Sequence, residues 1–137
     1  MSEPAIAVNG LVHRPDLFTR EDLAGSPAEQ LVPDISVIAP HRQGTAVGLR
    51  HLITRSQPDD SATYVTLHSA DGFAASIPLA DVRETGLVIF EINGQPLPES
   101  AGGPFRFLIP NAAACRTAEL DACANVKHLA GIELTNG

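Results

Sequence analysis

The chain has 137 residues, 44% hydrophobic and 18% charged, which suits a single domain over residues 1–137 with room for a real core. Its net charge is −7, and one lysine and eight scattered arginines supply all the fixed cations, too thin a cationic surface for nucleic acid. Aromatic residues are 4% and Trp is absent, so stacking platforms are scarce; no apolar run reaches the roughly 18–20 residues of a membrane span.

Ala5–Val12 is apolar with Asn9-Gly10 inside it, and predicts an opening strand with a turn or bulge. MSEPAIAVNG lacks the basic and apolar regions of a secretory leader, so a cytoplasmic location is expected. Thr19 can cap a helix whose first turn holds Glu21 and Asp22, and Gly25-Ser26-Pro27 stops it early. Leu31–Ala39 carries Val32, Ile35, Val37 and Ile38 and predicts a strand ending at Pro40. His41-Arg42-Gln43-Gly44 follows as a polar loop. In Thr45–Arg55, the spacing of Val47, Leu49, Leu52 and Ile53 predicts a helix despite Gly48. Ser56–Ser61 is a solvated loop.

The densest signals lie between Tyr64 and Pro110. Tyr64–His68 alternates, Ala70-Asp71-Gly72 turns, and Phe73–Pro78 returns as the second strand of a hairpin. A short helix leads to Leu87–Ile92, an unbroken apolar run expected of a strand buried on both faces. Asn93-Gly94 is a turn, and Gly102-Gly103-Pro104 opens a last strand, Phe105–Ile109. Beyond it, Asn111–Ala124 is rich in small residues, with Thr117–Leu120 a candidate helical turn. Val126–Leu134 closes the chain as a strand with a bulge at Gly131. The sum is a mixed, strand-rich α+β fold with short helices.

Several chemistries are absent. There is no GxSxG elbow, HExxH pair, GxGxxG or GxxxxGK loop. Cys115 and Cys123 match neither a CxxC redox motif nor a zinc-ligand pair, and read as partly buried thiols in a reducing compartment. A disulfide or a metal between them has no second pair of ligands to rest on.

In combination the motifs resemble the molybdopterin-binding domain of the sulfite oxidase family. NGLVHRP followed by FTREDL is similar to its opening strand and first helix. Ser69-Ala70-Asp71-Gly72-Phe73 with Ser76-Ile77-Pro78-Leu79 resembles its hairpin. Asn93-Gly94-Gln95-Pro96-Leu97-Pro98, then Gly103-Pro104-Phe105-Arg106-Phe107-Leu108-Ile109-Pro110, resembles its most recognisable segment. Asn125-Val126-Lys127-His128-Leu129 with Ile132 resembles its closing strand. The likeness runs from about Val8 to Leu134 and is strongest in the second half.

The resemblance implies a domain that grips a pterin carrying a phosphate and a molybdenum-bound dithiolene, used for two-electron oxygen-atom chemistry. It implies a protein thiolate on the metal, because a soft ligand suits that centre, and Arg, Lys, Ser, His or backbone donors for phosphate and pterin. In the family the ligating cysteine falls between the second strand and the helix before the hairpin. Here Val32 to Arg50 contains no cysteine, so the expected molybdenum site is incomplete. His41 and Arg42 occupy that neighbourhood and are ligand candidates, although a polar loop often carries such residues by chance. Lys127 matches the family's phosphate-side lysine, against the alternative of a solvated lysine beside a strand. Arg106 is either a cofactor contact or an exposed sheet residue, since alternation turns it from the Phe105/Phe107 face. Asp71 is assigned to its turn and His68 to the sheet surface. Two readings follow: a molybdopterin-dependent oxidoreductase without a complete molybdenum site, or a non-catalytic binding or protein-interaction module that keeps the fold without the cofactor; the expected partner is a pterin cofactor or a small-molecule ligand. A monomer or weak homodimer is expected in either.

Overall fold

A computed structural model describes residues 5–37, 44–109 and 125–136. The first part of the chain forms β1 (Ala5–Gly10), β2 (Asp16–Thr19), α1 (Arg20–Ala24), β3 (Leu31–Val32), β4 (Thr45–Gly48) and α2 (Leu49–Ser56). Then come β5 (Tyr64–Ser69), β6 (Ala74–Pro78), α3 (Leu79–Val82), β7 (Leu87–Ile92) and β8 (Gln95–Pro96). The chain closes with β9 (Arg106–Leu108), β10 (Asn125–Val126) and β11 (Leu129–Thr135). This is the strand-rich α+β class that the sequence predicts.

The strands form two sheets, ordered β2-β1-β11-β5-β6 and β10-β9-β7-β4-β3, with β8 paired to β7. In the first, β1 and β11 run parallel, joining the two ends of the described chain, and the other pairs are antiparallel. Inward residues of that sheet, among them Ile6, Val8, Leu67 and Ile132, share a core with Val88, Phe90, Phe105 and Phe107 of the second. Leu52 and Ile53 of α2 and Leu23 of α1 complete it. The alternate residues of β7, Leu87 and Ile89, face the other way into a smaller cluster with Ile35, Ala46 and Leu97. The strand is therefore buried on both faces, as its apolar run requires.

Local signals explain the elements that match. Thr19 Oγ1 accepts from the Asp22 amide at 3.1 Å and Asp22 Oδ2 accepts from the Thr19 amide at 2.9 Å, a complete capping box on α1. The β5–β6 hairpin pairs Tyr64 with Pro78 through to His68 with Ala74.

Three expectations are corrected. Of the strand predicted over Leu31–Ala39, the described part pairs only at Leu31–Val32 and gives way to a 3-10 turn at Ile35–Val37, while Ile38 and Ala39 lie outside the described residues. Pro33 has no amide for a ladder, and Asp34 accepts from the Ser36 amide at 3.0 Å, a local bond that competes with pairing. The helix predicted over Thr45–Arg55 starts only at Leu49, because Thr45–Gly48 pairs with β7 and buries Ala46 and Val47 on opposite faces. The closing strand breaks at Lys127–His128, where the chain leaves the second sheet for the first. The predicted bulge is present as a register shift between Leu129 and Gly131. The candidate turn at Thr117–Leu120 lies outside the described residues.

Candidate functional site

The crossing at Lys127–His128 builds the site. Pairing of Asn125 with Leu108 and of Val126 with Phe107 carries the chain back along β9, so Lys127 and His128 arrive beside the Gly102-Gly103-Pro104 entry to that strand. His128 holds φ +55°. Its amide donates to Gly102 O at 2.7 Å, and its carbonyl accepts from the Ala70 amide at 2.8 Å. Its ring Nδ1 donates to Gly103 O at 2.7 Å. One residue thus ties the hairpin turn of the first sheet to the strand entry of the second.

A cleft of about 600 Å³ opens at this junction. It is lined by Ala70 and Asp71 of the hairpin turn, by Leu97, Glu99 and the Gly103–Pro104 pair, and by His128. Beside it, Gly102 holds φ +90°, and a Cβ there would lie 3.0 Å from Arg106 Cδ and 3.1 Å from Lys127 Cγ. The side chains of Arg106 and Lys127 therefore converge over this glycine. Arg106 is half-buried and points away from the buried Phe105 and Phe107, as alternation predicts, while Lys127 is exposed.

Asp71 has two roles. Its Oδ1 accepts from the Ser69 hydroxyl and from the Phe73 amide at 3.2 Å, which fixes the predicted turn. The Ser69 hydrogen bond first, then that of Phe73, hold its carboxyl below the usual range. It also lines the cleft, which a turn assignment alone does not reveal. His68 lies on the sheet surface, with Nε2 2.9 Å from Glu133 Oε1.

A second cleft of about 530 Å³ lies between Pro33, Asp34, Ser36, Gly44, Thr45 and the Asn93-Gly94 turn. His41 and Arg42 lie outside the described residues, as do Cys115 and Cys123. Of the four site residues singled out from sequence, the described structure brings two together, Arg106 and Lys127. Sequence reasoning missed His128 and Glu99 as cleft residues. The available signal was the adjacency of His128 to Lys127, which becomes meaningful only when the crossing places both against Gly102.

Among the described residues the donor set suits the anionic end of a phosphorylated pterin. Arg106 and Lys127 suit an anionic group. No cysteine occurs among the described residues or in residues 38–43, and no three His, Cys, Asp or Glu residues among the described ones group as a metal site. No helix among the described residues is long and apolar enough to cross a membrane.

The sequence model of a family described as "Oxidoreductase molybdopterin binding domain" matches residues 3–137. The uncharacterized oxidoreductase YuiH of Bacillus subtilis is 29% identical over 140 residues, covering 98% of this chain and 67% of YuiH. The sulfane dehydrogenase SoxCD of Paracoccus pantotrophus has a similar fold, with a TM-score of 0.69 at 17% identity over 98% of this chain. The chain spans 38% of the SoxCD chain.

Proposed function

Because the chain belongs to the oxidoreductase molybdopterin binding domain family, we propose that it binds a phosphorylated pterin cofactor at the junction of its sheets without a cysteine-held molybdenum. The observation that carries this reading is the convergence of Arg106 and Lys127 on Gly102, beside a cleft wide enough for a heterocycle. Both side chains carry donors of the kind that suit an anionic group. In this reading Lys127 and Arg106 hold the phosphate, and Leu97 and Pro104 cover the ring. When bound with its metal, such a cofactor supplies two-electron redox chemistry, and the oxidoreductase name of YuiH is consistent with that class. The chain's own residues bind, orient and shield the ring. The absence of cysteine from Val32 to Arg50 favours a second reading, a binding module that has kept the pocket and lost the reaction.

The test is expression in a host that makes molybdopterin, followed by pterin fluorescence after oxidative release and by elemental analysis. Pterin should copurify and should drop at least tenfold in Lys127→Ala, with molybdenum well below one per chain. No pterin on the wild-type protein refutes the proposal. Stoichiometric molybdenum that disappears in Cys115→Ser or Cys123→Ser refutes the thiolate-free part.

A further inference from the structure

We infer that β6 is a docking edge, on which a second copy of this chain adds its own β6, antiparallel about a two-fold axis through Ser76. The inference is independent of the pterin reading.

The edges of the two sheets differ in what they leave unpaired. β2 closes one end of the first sheet, but its Leu17 amide donates to Asp16 Oδ1 at 2.8 Å and its Thr19 amide to Asp22 Oδ2 at 2.9 Å. Carboxylates of its own segment hold those donors, which blunts the edge. The second sheet ends in β10 and β3, each of two residues, and very short strands make poor templates. β6 is different. It has five residues, and among the described residues no strand pairs with its outer side.

Register decides which of its backbone groups face outward. The Ser69 amide donates to Phe73 O at 2.8 Å, and bonded and non-bonded pairs alternate from there along an antiparallel ladder. Leu67–Ala75 and Val65–Ile77 are therefore the bonded pairs, and His68–Ala74, Thr66–Ser76 and Tyr64–Pro78 are not. The backbone groups of Ala74, Ser76 and Pro78 point away from β5. They offer the Ala74 and Ser76 amides as donors and three carbonyls as acceptors, since proline has no N–H.

A second copy fits this set. With Ser76 opposite the partner's Ser76, the two residues exchange both amide–carbonyl bonds, and each Ala74 amide meets the partner's Pro78 carbonyl. Every outward donor of both copies is then satisfied. Charge points to the same strand. Two copies of net charge −7 repel one another, yet Ala74–Pro78 holds no charged residue, and Ala74 and Ser76 are small and exposed. Two backbones can approach there without opposed charges. Phe73, 44% exposed at the start of the strand, gains cover from the added chain. So short an edge makes a weak dimer, at the small end of interface sizes.

Sedimentation from micromolar to millimolar protein should show a reversible dimer. Amide exchange followed by NMR should show the Ala74 and Ser76 amides becoming protected as it forms. Position 76 meets itself across the axis, so a charge there is decisive. Ser76→Lys and Ser76→Glu alter an exposed side chain, and each should weaken self-association at least tenfold, because like charges directly opposite are destabilising. Mixed in equal amounts, the two variants should associate with each other. Ala74→Lys replaces either variant that fails to fold and should weaken self-association in the same way. A wild type that stays monomeric to millimolar concentration overturns the inference. So does a dimer that survives Ser76→Lys, leaves those two amides unprotected, or is not restored by mixing the Lys and Glu variants.

Discussion

His128 adopts a left-handed backbone at φ +55°, costly for a residue with a Cβ unless its surroundings fix it. Three hydrogen bonds do so, to Gly102, Gly103 and Ala70. Gly103 is fixed by space instead: a Cβ there would overlap the Leu97 carbonyl. Gly103→Ala must displace the cleft wall, and urea denaturation should show a loss of about 3 kcal/mol or more, in the range that marks a named backbone clash. A loss within 0.5 kcal/mol would mean the wall yields freely. Asp71 offers a test by titration. Its folded pKa is depressed chiefly by Ser69, so its contribution to stability is present above the unfolded value and fades as pH falls through the folded one. Removing the hydroxyl in Ser69→Ala should move the Asp71 carboxyl upward towards its ordinary value in a carboxyl-detected NMR titration. No movement would show that the turn amide alone holds it down.

At the scale of elements, short-range chemistry was legible and long-range pairing was not. The α1 helix begins where Thr19 and Asp22 exchange hydrogen bonds, a signal contained in four residues. Thr19→Ala should cost about 1 kcal/mol of stability by thermal or denaturant unfolding, and an unchanged midpoint would show that packing of Leu23 alone sustains the helix. The α2 boundary was misread because Val47 suits a helical face as well as a strand, and only β7 decides between them by offering a free edge. The same helix ends on Ser56, fully buried, whose hydroxyl finds no hydrogen-bond partner among the described residues. A buried, unpaired hydroxyl is a cost. Ser56→Ala should therefore leave the melting temperature unchanged or raise it, and a fall would reveal a bond from elsewhere in the chain.

At the scale of the molecule, both sheets pack on one shared core to which β7 contributes Val88 and Phe90. Phe90 is about 1% exposed and shares a core with residues of both sheets. Phe90→Ala should cost about 3–5 kcal/mol in chemical denaturation, and a cost below about 1 kcal/mol would mean that the core refills the space. What the sequence determined by itself was local: the hairpin turn at Asp71-Gly72, the capped helix at Thr19, the twice-buried Leu87–Ile92 run and the motif order that carries the family resemblance. These follow from hydrogen bonds and side-chain periods spanning a few residues. What only the tertiary structure decided was which distant segments meet. The parallel pairing of β1 with β11, the strand at Thr45–Gly48 and the crossing that sets Lys127 and Arg106 against Gly102 all depend on partners far along the chain. The segment Tyr64–Pro110 supplies most of the cleft lining, but His128 joins it from outside. A site assembled by a crossing between two sheets leaves no contiguous pattern, because its spacing is set by register and not by sequence distance.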